Sequence, residues 1–224
     1  SGTFATSDRL ILNALSPTNY ARIAFGGGEI DGLIEMEKDL TNTNAGWRQL
    51  SSPTNAKWQD GNWSNIALNF SNHSPLSEQN VYKWNAAIAT SDYATGWEIA
   101  DAEDPQTVPI SVYLDGSTPA FAVNSNFSCK GPYTKFSSKE FDLVYSRDPD
   151  YLSGSNADAI GWNFVPNPYP ALIDVETWLT SVSANAFDPT YKAIHVYNSV
   201  LSQYQAILLN GVSKINYNNL CTSP

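Results

Sequence analysis

Apolar and polar residues alternate with a period of two over much of the chain. Ile30, Gly32, Ile34 and Met36 alternate with Asp31, Leu33, Glu35 and Glu37. Ile66, Leu68 and Phe70 alternate with Ala67 and Asn69, and Phe141, Leu143 and Tyr145 alternate with Asp142 and Val144. Residues 107–114 and 203–209 read the same way. Successive side chains of a strand point to opposite faces, so the pattern predicts strands with one buried and one wet face. Turn-forming clusters separate these runs at intervals of roughly 8–15 residues, as in a sandwich or barrel. Examples are Phe25-Gly26-Gly27-Gly28, Asp60-Gly61-Asn62, Asp115-Gly116-Ser117 and Ser153-Gly154-Ser155-Asn156. One stretch reads as helix, near 174–181. Asp174 is placed to cap the free amides of a first turn, and Val175, Trp178 and Leu179 then share a face. The expected fold is all-β: an antiparallel, jelly-roll-like β-sandwich forming one unit over residues 1–224, with that one short helix.

The pattern also echoes itself. GWRQLSSP begins at Gly46 and GWNFVPNP begins at Gly161. Trp47 precedes Trp84 by 37 residues, and Trp162 precedes Tyr197 by 35. A further aromatic strand follows in each case, at Gly96-Trp97-Glu98-Ile99 and at Tyr204-Gln205-Ala206-Ile207. Two related halves are expected, about 1–128 and 129–224; the alternative is chance matching within a β-rich composition. In GWNFVPNPYPALID, Pro166, Pro168 and Pro170 cannot donate to a ladder, so the phrase reads as strand, stiff turn and helix cap.

Composition narrows the class. Charged residues are 15 % of the 224, below the usual ~25 %. Ser, Asn and Thr together number 62 and supply a neutral polar surface. Aromatics reach 12 %, which excludes a disordered chain, where aromatics are scarce and charge is dense. The net charge is −10, and no Lys/Arg cluster exists to neutralise phosphates, so nucleic acid is excluded as a partner. No apolar run is long enough for a transmembrane helix, so no membrane insertion by a helix is expected. No metal site is firmly implied. Ca²⁺ is the one cofactor the acidic loops suggest, at Asp101, Glu103 and Asp104 or at Asp148, Asp150, Asn156 and Asp158, since it takes hard oxygen ligands at short spacing.

Catalytic patterns are missing. His73 and His195 are the histidines, and no G-x-S-x-G elbow accompanies them, so a Ser-His-Asp triad is not expected. Glu35 and Glu37 share a strand face that reads as solvated rather than as a paired-carboxylate site. The expectation is a non-enzymatic protein with no catalytic residues.

The phrases GWRQLSSP, VYKWNAA, Gly96-Trp97, VPISVYLDGS, GWNFVPNPYPALIDVETWL and AIHVYNSVLSQYQAILLNG, in that order, resemble the modules of large exported Bacteroidetes proteins. Such modules precede a C-terminal sorting domain for type IX secretion. The most recognisable piece is Gly161 to Asp174, and the resemblance spans about residues 8–215. It implies a β-sandwich, an extracellular or cell-surface location, and export by the type IX machinery as a partner. The tail, Cys221-Thr222-Ser223-Pro224, stops without a closing element, which suggests a natural chain that continues. It brings no catalytic residues. An exported protein could join Cys129 to Cys221 in a disulfide; the alternative is two unpaired thiols.

Five of the seven tryptophans read as framework: Trp47, Trp84, Trp97, Trp162 and Trp178. Trp58 and Trp63 flank Asp60-Gly61-Asn62 in an apparent loop. An exposed indole beside Asp and Asn can stack on a sugar ring while its neighbours bind hydroxyls, which makes Trp58, Asp60, Asn62 and Trp63 the candidate ligand site. The alternative is that both rings cover the end of the core. The expected function is a non-enzymatic extracellular module of a larger cell-surface or secreted bacterial protein. It would be an adhesin or type IX cargo that is structural or contacts a glycan or a host or self surface protein. The alternative is an accessory carbohydrate-binding module of a secreted hydrolase.

Overall fold

The computed structural model describes residues 2–16, 19–24, 26–40, 46–61, 70, 79–88, 96–114, 126–133, 140–144, 161–181, 193–198 and 201–208. In chain order the strands are β1 (Thr3–Ala5), β2 (Leu10–Leu12), β3 (Ala14–Ser16), β4 (Asn19–Tyr20), β5 (Glu29–Asp31), β6 (Leu33–Asp39) and β7 (Gly46–Leu50). They continue with β8 (Val81–Trp84), β9 (Trp97–Ile99), β10 (Ile110–Leu114), β11 (Asn126–Pro132), β12 (Ala193–Asn198) and β13 (Gln203–Leu208). A 3-10 turn covers Trp58–Asp60, and one α-helix, α1, covers Val175–Ser181. The fold is all-β, as the alternation predicts.

Two sheets build the main core. The first has the order β7-β10-β8-β9 and the second β11-β6-β2. Leu50, Val81, Ile110, Val112 and Leu114 come from one face of the first sheet. Phe127 and Cys129 come from β11 in the second and join the same buried cluster. Residues of both sheets thus meet in one buried apolar cluster. Ile34 and Met36 on β6 bury on the same side as Leu12 on β2 and form a second, smaller cluster. This is the 30–37 alternation carried into three dimensions.

Most ladders are antiparallel, but β1–β5 and β2–β6 are parallel. Each partner is a broken strand. Ser7 and Asp8 interrupt the first at positive φ, and Gly32 interrupts the second at φ +106°. Thr6 N–H donates to Asp31 O at 2.8 Å, and Leu33 N–H donates to Asp8 Oδ1 at 2.9 Å, so the two interruptions close against each other. A Cβ on Gly32 would strike the Thr6 hydroxyl, so this crossing needs glycine on two counts.

Residues 51–58 strap the two sheets together. Ser52 Oγ and Thr54 Oγ1 share a hydrogen bond of 2.8 Å, and Thr54 Oγ1 donates to Gln106 Oε1 at 2.5 Å. Gln106 Nε2 donates to Lys57 O at 2.8 Å. Thr54 and Gln106 are fully buried, and their polar atoms satisfy one another. On the other side Asn55 N–H reaches Pro132 O at the end of β11, and Gly131 leaves room for Ala56.

Two sequence expectations meet a different outcome. Residues 141–144 form no strand; Asn163 takes the place of a partner strand, accepting from Val144 N–H at 2.9 Å and donating Nδ2 to Val144 O at 3.0 Å. The GWNFV phrase itself runs without a ladder, although the turn and cap that follow are present. Asn167 closes the turn, with Nδ2 donating to Ala171 O and Oδ1 accepting from Tyr169 N–H. Asp174 caps α1 by accepting from Thr177 N–H at 3.1 Å. The expected boundary at 128/129 falls inside β11, which pairs with β6 along its length.

Candidate functional site

The first sheet has an inner and an outer face, and its register assigns every side chain to one of them. Trp47 lies opposite Tyr113, Gln49 opposite Ser111, Ser111 opposite Tyr82, Tyr82 opposite Ile99, and Trp84 opposite Trp97. Directly opposed residues share a face. The outer face therefore carries five aromatic rings with Gln49, Ser111 and Ile99. The charged residues Arg48, Lys83 and Glu98 fall on the inner-face positions.

One end of this outer face is covered. Trp84 Nε1 donates to Trp162 O at 2.7 Å, and the Trp97 ring meets Phe164 edge-on at 6.1 Å. Trp84 and Trp97 meet at 5.3 Å and 72°. Trp162 in turn packs against His195 of β12 at 4.4 Å, and burial pushes the His195 imidazole below its ordinary pKa. A Cβ on Gly96 would fall within the Trp84 ring, so the indole lies directly on that backbone.

The other end is open. Trp47 meets Tyr82 at 5.7 Å and 71°, and Tyr113 at 5.2 Å and 67°. Trp47 is 36 % exposed and Tyr113 38 %. The β12–β13 hairpin borders this end: Gln49 Nε2 donates to the Tyr204 hydroxyl at 2.6 Å, and Tyr204 is 50 % exposed. Tyr204 and Tyr197 are cross-strand neighbours with rings 5.2 Å apart. Beneath the strand end Arg48 is buried and donates to Trp47 O at 2.8 Å. Burial lowers its guanidinium pKa, opposed by the nearby Tyr197.

The residues singled out by sequence are placed differently. Trp58 is 0 % exposed in the main core, and its Nε1 donates to Val108 O at 3.1 Å. No sugar ring can reach that indole, so Trp58 is framework and not a stacking residue. Asp60 closes the 3-10 turn by accepting from Lys57 N–H at 3.2 Å. Asn62 and Trp63 lie outside the described residues. Trp47 heads a strand and reads as framework in the sequence; the register with the burial of Leu50, Ile110 and Val112 turns it outward.

The first acidic loop is internally occupied. Asp104 accepts from Lys83 Nζ at 2.8 and 3.1 Å and from Asp101 N–H at 2.9 Å. Glu103 pairs with Lys57 and Gln59, and hydrogen bonding to Lys57 lowers its carboxyl pKa. Among the described residues no group of three His, Cys, Asp or Glu converges as a metal centre. Asp148, Asp150, Asn156 and Asp158 lie outside the described residues. Cys129 is a free thiol, 1 % exposed, and burial pushes its pKa well up. Cys221 lies outside the described residues, and no disulfide occurs among those described.

No family model matches the chain, and no curated protein or solved structure matches it significantly.

Proposed function

We propose that the chain is a non-enzymatic extracellular module of a larger cell-surface or secreted bacterial protein, exported by the type IX route, and that it works by contact. The observation that carries the contact role is the outer face of the first sheet, where Trp47 and Tyr113 stand side by side and half-open to solvent. Large rings held on a rigid sheet lose little freedom on binding, which favours their use as anchors. The phrases from Gly46 and Gly161 onward support the export route by resemblance. The cross-strand ring pairs Trp84–Trp97 and Tyr197–Tyr204 support two related halves.

The test compares wild-type protein with a Trp47→Ala/Tyr113→Ala variant on beads, measuring retention on bacterial cells and on extracellular-matrix coats. Wild type is expected to be retained and the variant to wash off several-fold faster. Equal retention overturns the contact role of this face. Fractionation of the producing cells tests the location, and a signal confined to the cytosol overturns export.

A further inference from the structure

We propose that the open half of the outer face, bounded by Trp47, Tyr113, Tyr82, Gln49 and Tyr204, binds a neutral, soluble oligosaccharide. The proposal rests on the contact reading above and names its ligand class. It places the site on the sheet and not at the Trp58–Trp63 loop.

Three observations select this ligand. The first is chemical. The patch combines ring faces with the Gln49 amide and the Tyr204 hydroxyl, which are hydrogen-bonded to each other at 2.6 Å. A pyranose has the same dual character, with C–H bonds on its faces and hydroxyls at its rim. Tyr and Trp suit such ligands because an apolar body and a polar tip sit on one side chain.

The second is charge. Trp47, Gln49, Ser111, Tyr113, Tyr82, Trp84, Trp97 and Ile99 occupy the outer positions, and none is charged at neutral pH. Arg48, Lys83 and Glu98 occupy the inner ones. An uronic acid, a sulfated glycan or a phosphate headgroup would find no counter-charge among the described residues of this face, and the chain's net charge of −10 would repel it.

The third is size and shape. Among the described residues the patch is a handful of side chains, whereas a stable protein interface takes roughly 20–30 from each side. A protein partner is therefore disfavoured. The rings are also far from coplanar: Trp47 stands at 71° to Tyr82 and 67° to Tyr113. They cannot lie together on the flat face of a crystalline polysaccharide. They can hold a single chain, with one ring under a sugar and another at its edge. The Gln49–Tyr204 bond fixes the border before the ligand arrives, so little ordering is left to be done on binding.

The experiment is a calorimetric titration of the whole chain with cellohexaose, xylohexaose, mannohexaose and polygalacturonate, with a pull-down on microcrystalline cellulose. At least one neutral hexaose is expected to bind saturably, while polygalacturonate and microcrystalline cellulose do not bind. Trp47→Ala and Tyr113→Ala are each expected to weaken that binding at least tenfold. Trp47→Phe keeps a ring and should lose less, which separates stacking from misfolding. Tyr204→Phe should cost two- to fivefold. The proposal is overturned if no neutral hexaose binds, if only the polyanion binds, or if Trp47→Ala binds as wild type does. Should the double alanine variant lose surface retention while no hexaose binds, the contact reading stands and the carbohydrate ligand falls.

Discussion

Trp58→Ala separates the core assignment from a ligand role. The Trp58 indole is fully buried among Leu50, Val81, Ile110 and Val112 of the main cluster. Truncating a buried Trp to Ala costs about 3–5 kcal/mol, transfer and cavity terms together. The Val108 carbonyl also loses its donor at 3.1 Å, and an orphaned buried acceptor adds about 1–3 kcal/mol unless water reaches it. A total of about 4–8 kcal/mol follows from those two terms. In a domain of this size each kcal/mol moves the melting midpoint about 2–4 °C, so a fall of roughly 10–30 °C is expected. Urea unfolding followed by fluorescence of the remaining tryptophans gives the free energy, and thermal circular dichroism gives the midpoint. Trp47→Ala should cost only about 1–2 kcal/mol, because over a third of that residue is already in water. A loss of less than about 1 kcal/mol in Trp58→Ala, or greater damage from Trp47→Ala, would contradict the burial of Trp58 in the core.

Gly96→Ala drives a methyl into the Trp84 ring and should cost about 1–3 kcal/mol by overpacking, with a change in near-ultraviolet circular dichroism; an unaltered spectrum and midpoint would contradict the Trp84 placement. Lys38 shares the inward face of β6 with Met36 and Ile34, opposite Phe127, and burial pushes its amine down to about 7. An unfolded Lys titrates near ~10.4, so between about pH 7 and that value the unfolded chain binds the extra proton. Stability should therefore rise with pH across that window, by up to about 1.4 kcal/mol per unit, and Lys38→Met should flatten the rise; parallel profiles for the two proteins would refute it. Cys129, buried and with a raised pKa, should ignore a thiol reagent in the native protein and react on unfolding. Rapid native labelling at Cys129 would count against its place in the core.

The sequence carried the class of fold because the periodicity and the burial agree. At 30–37 the alternation has one apolar face, and Ile34 and Met36 bury as it requires. The cap at Asp174 was legible for the same reason, since a short-range hydrogen bond needs only short-range sequence. At 141–144 the alternation misled. Nothing in those residues says that their partner is the side chain of Asn163, 19 residues away from Val144. The Gly-Trp phrases misled in part, since Gly46 opens a paired strand and Gly161 does not, although both glycines take positive φ.

The site was hidden by an ambiguity of facing. GWRQL has Trp47 and Gln49 on one side and Gly46, Arg48 and Leu50 on the other. Period two separates the faces without saying which is inward. Hydrophobicity favours burying the Trp and exposing the Arg, and the fold does the reverse. Arg48 is tolerated inside because its guanidinium bonds the Trp47 carbonyl. The same bias made Trp58 look loop-like, since its neighbours Lys57, Gln59 and Asp60 are polar. Its burial depends on Val108, Ala102 and Asp104, about 45–50 residues later, whose backbone carbonyls receive the Trp58 ring N–H and the Gln59 and Trp58 amides.

Hydroxyl-radical footprinting with peptide mass spectrometry reads the exposure of each ring without assuming a ligand. Fast oxidation is expected at Trp47, Tyr113 and Tyr204, with strong protection at Trp58, in the native protein. A protected Trp47 beside a rapidly oxidised Trp58 would contradict this placement and return the contact site to the 58–63 loop.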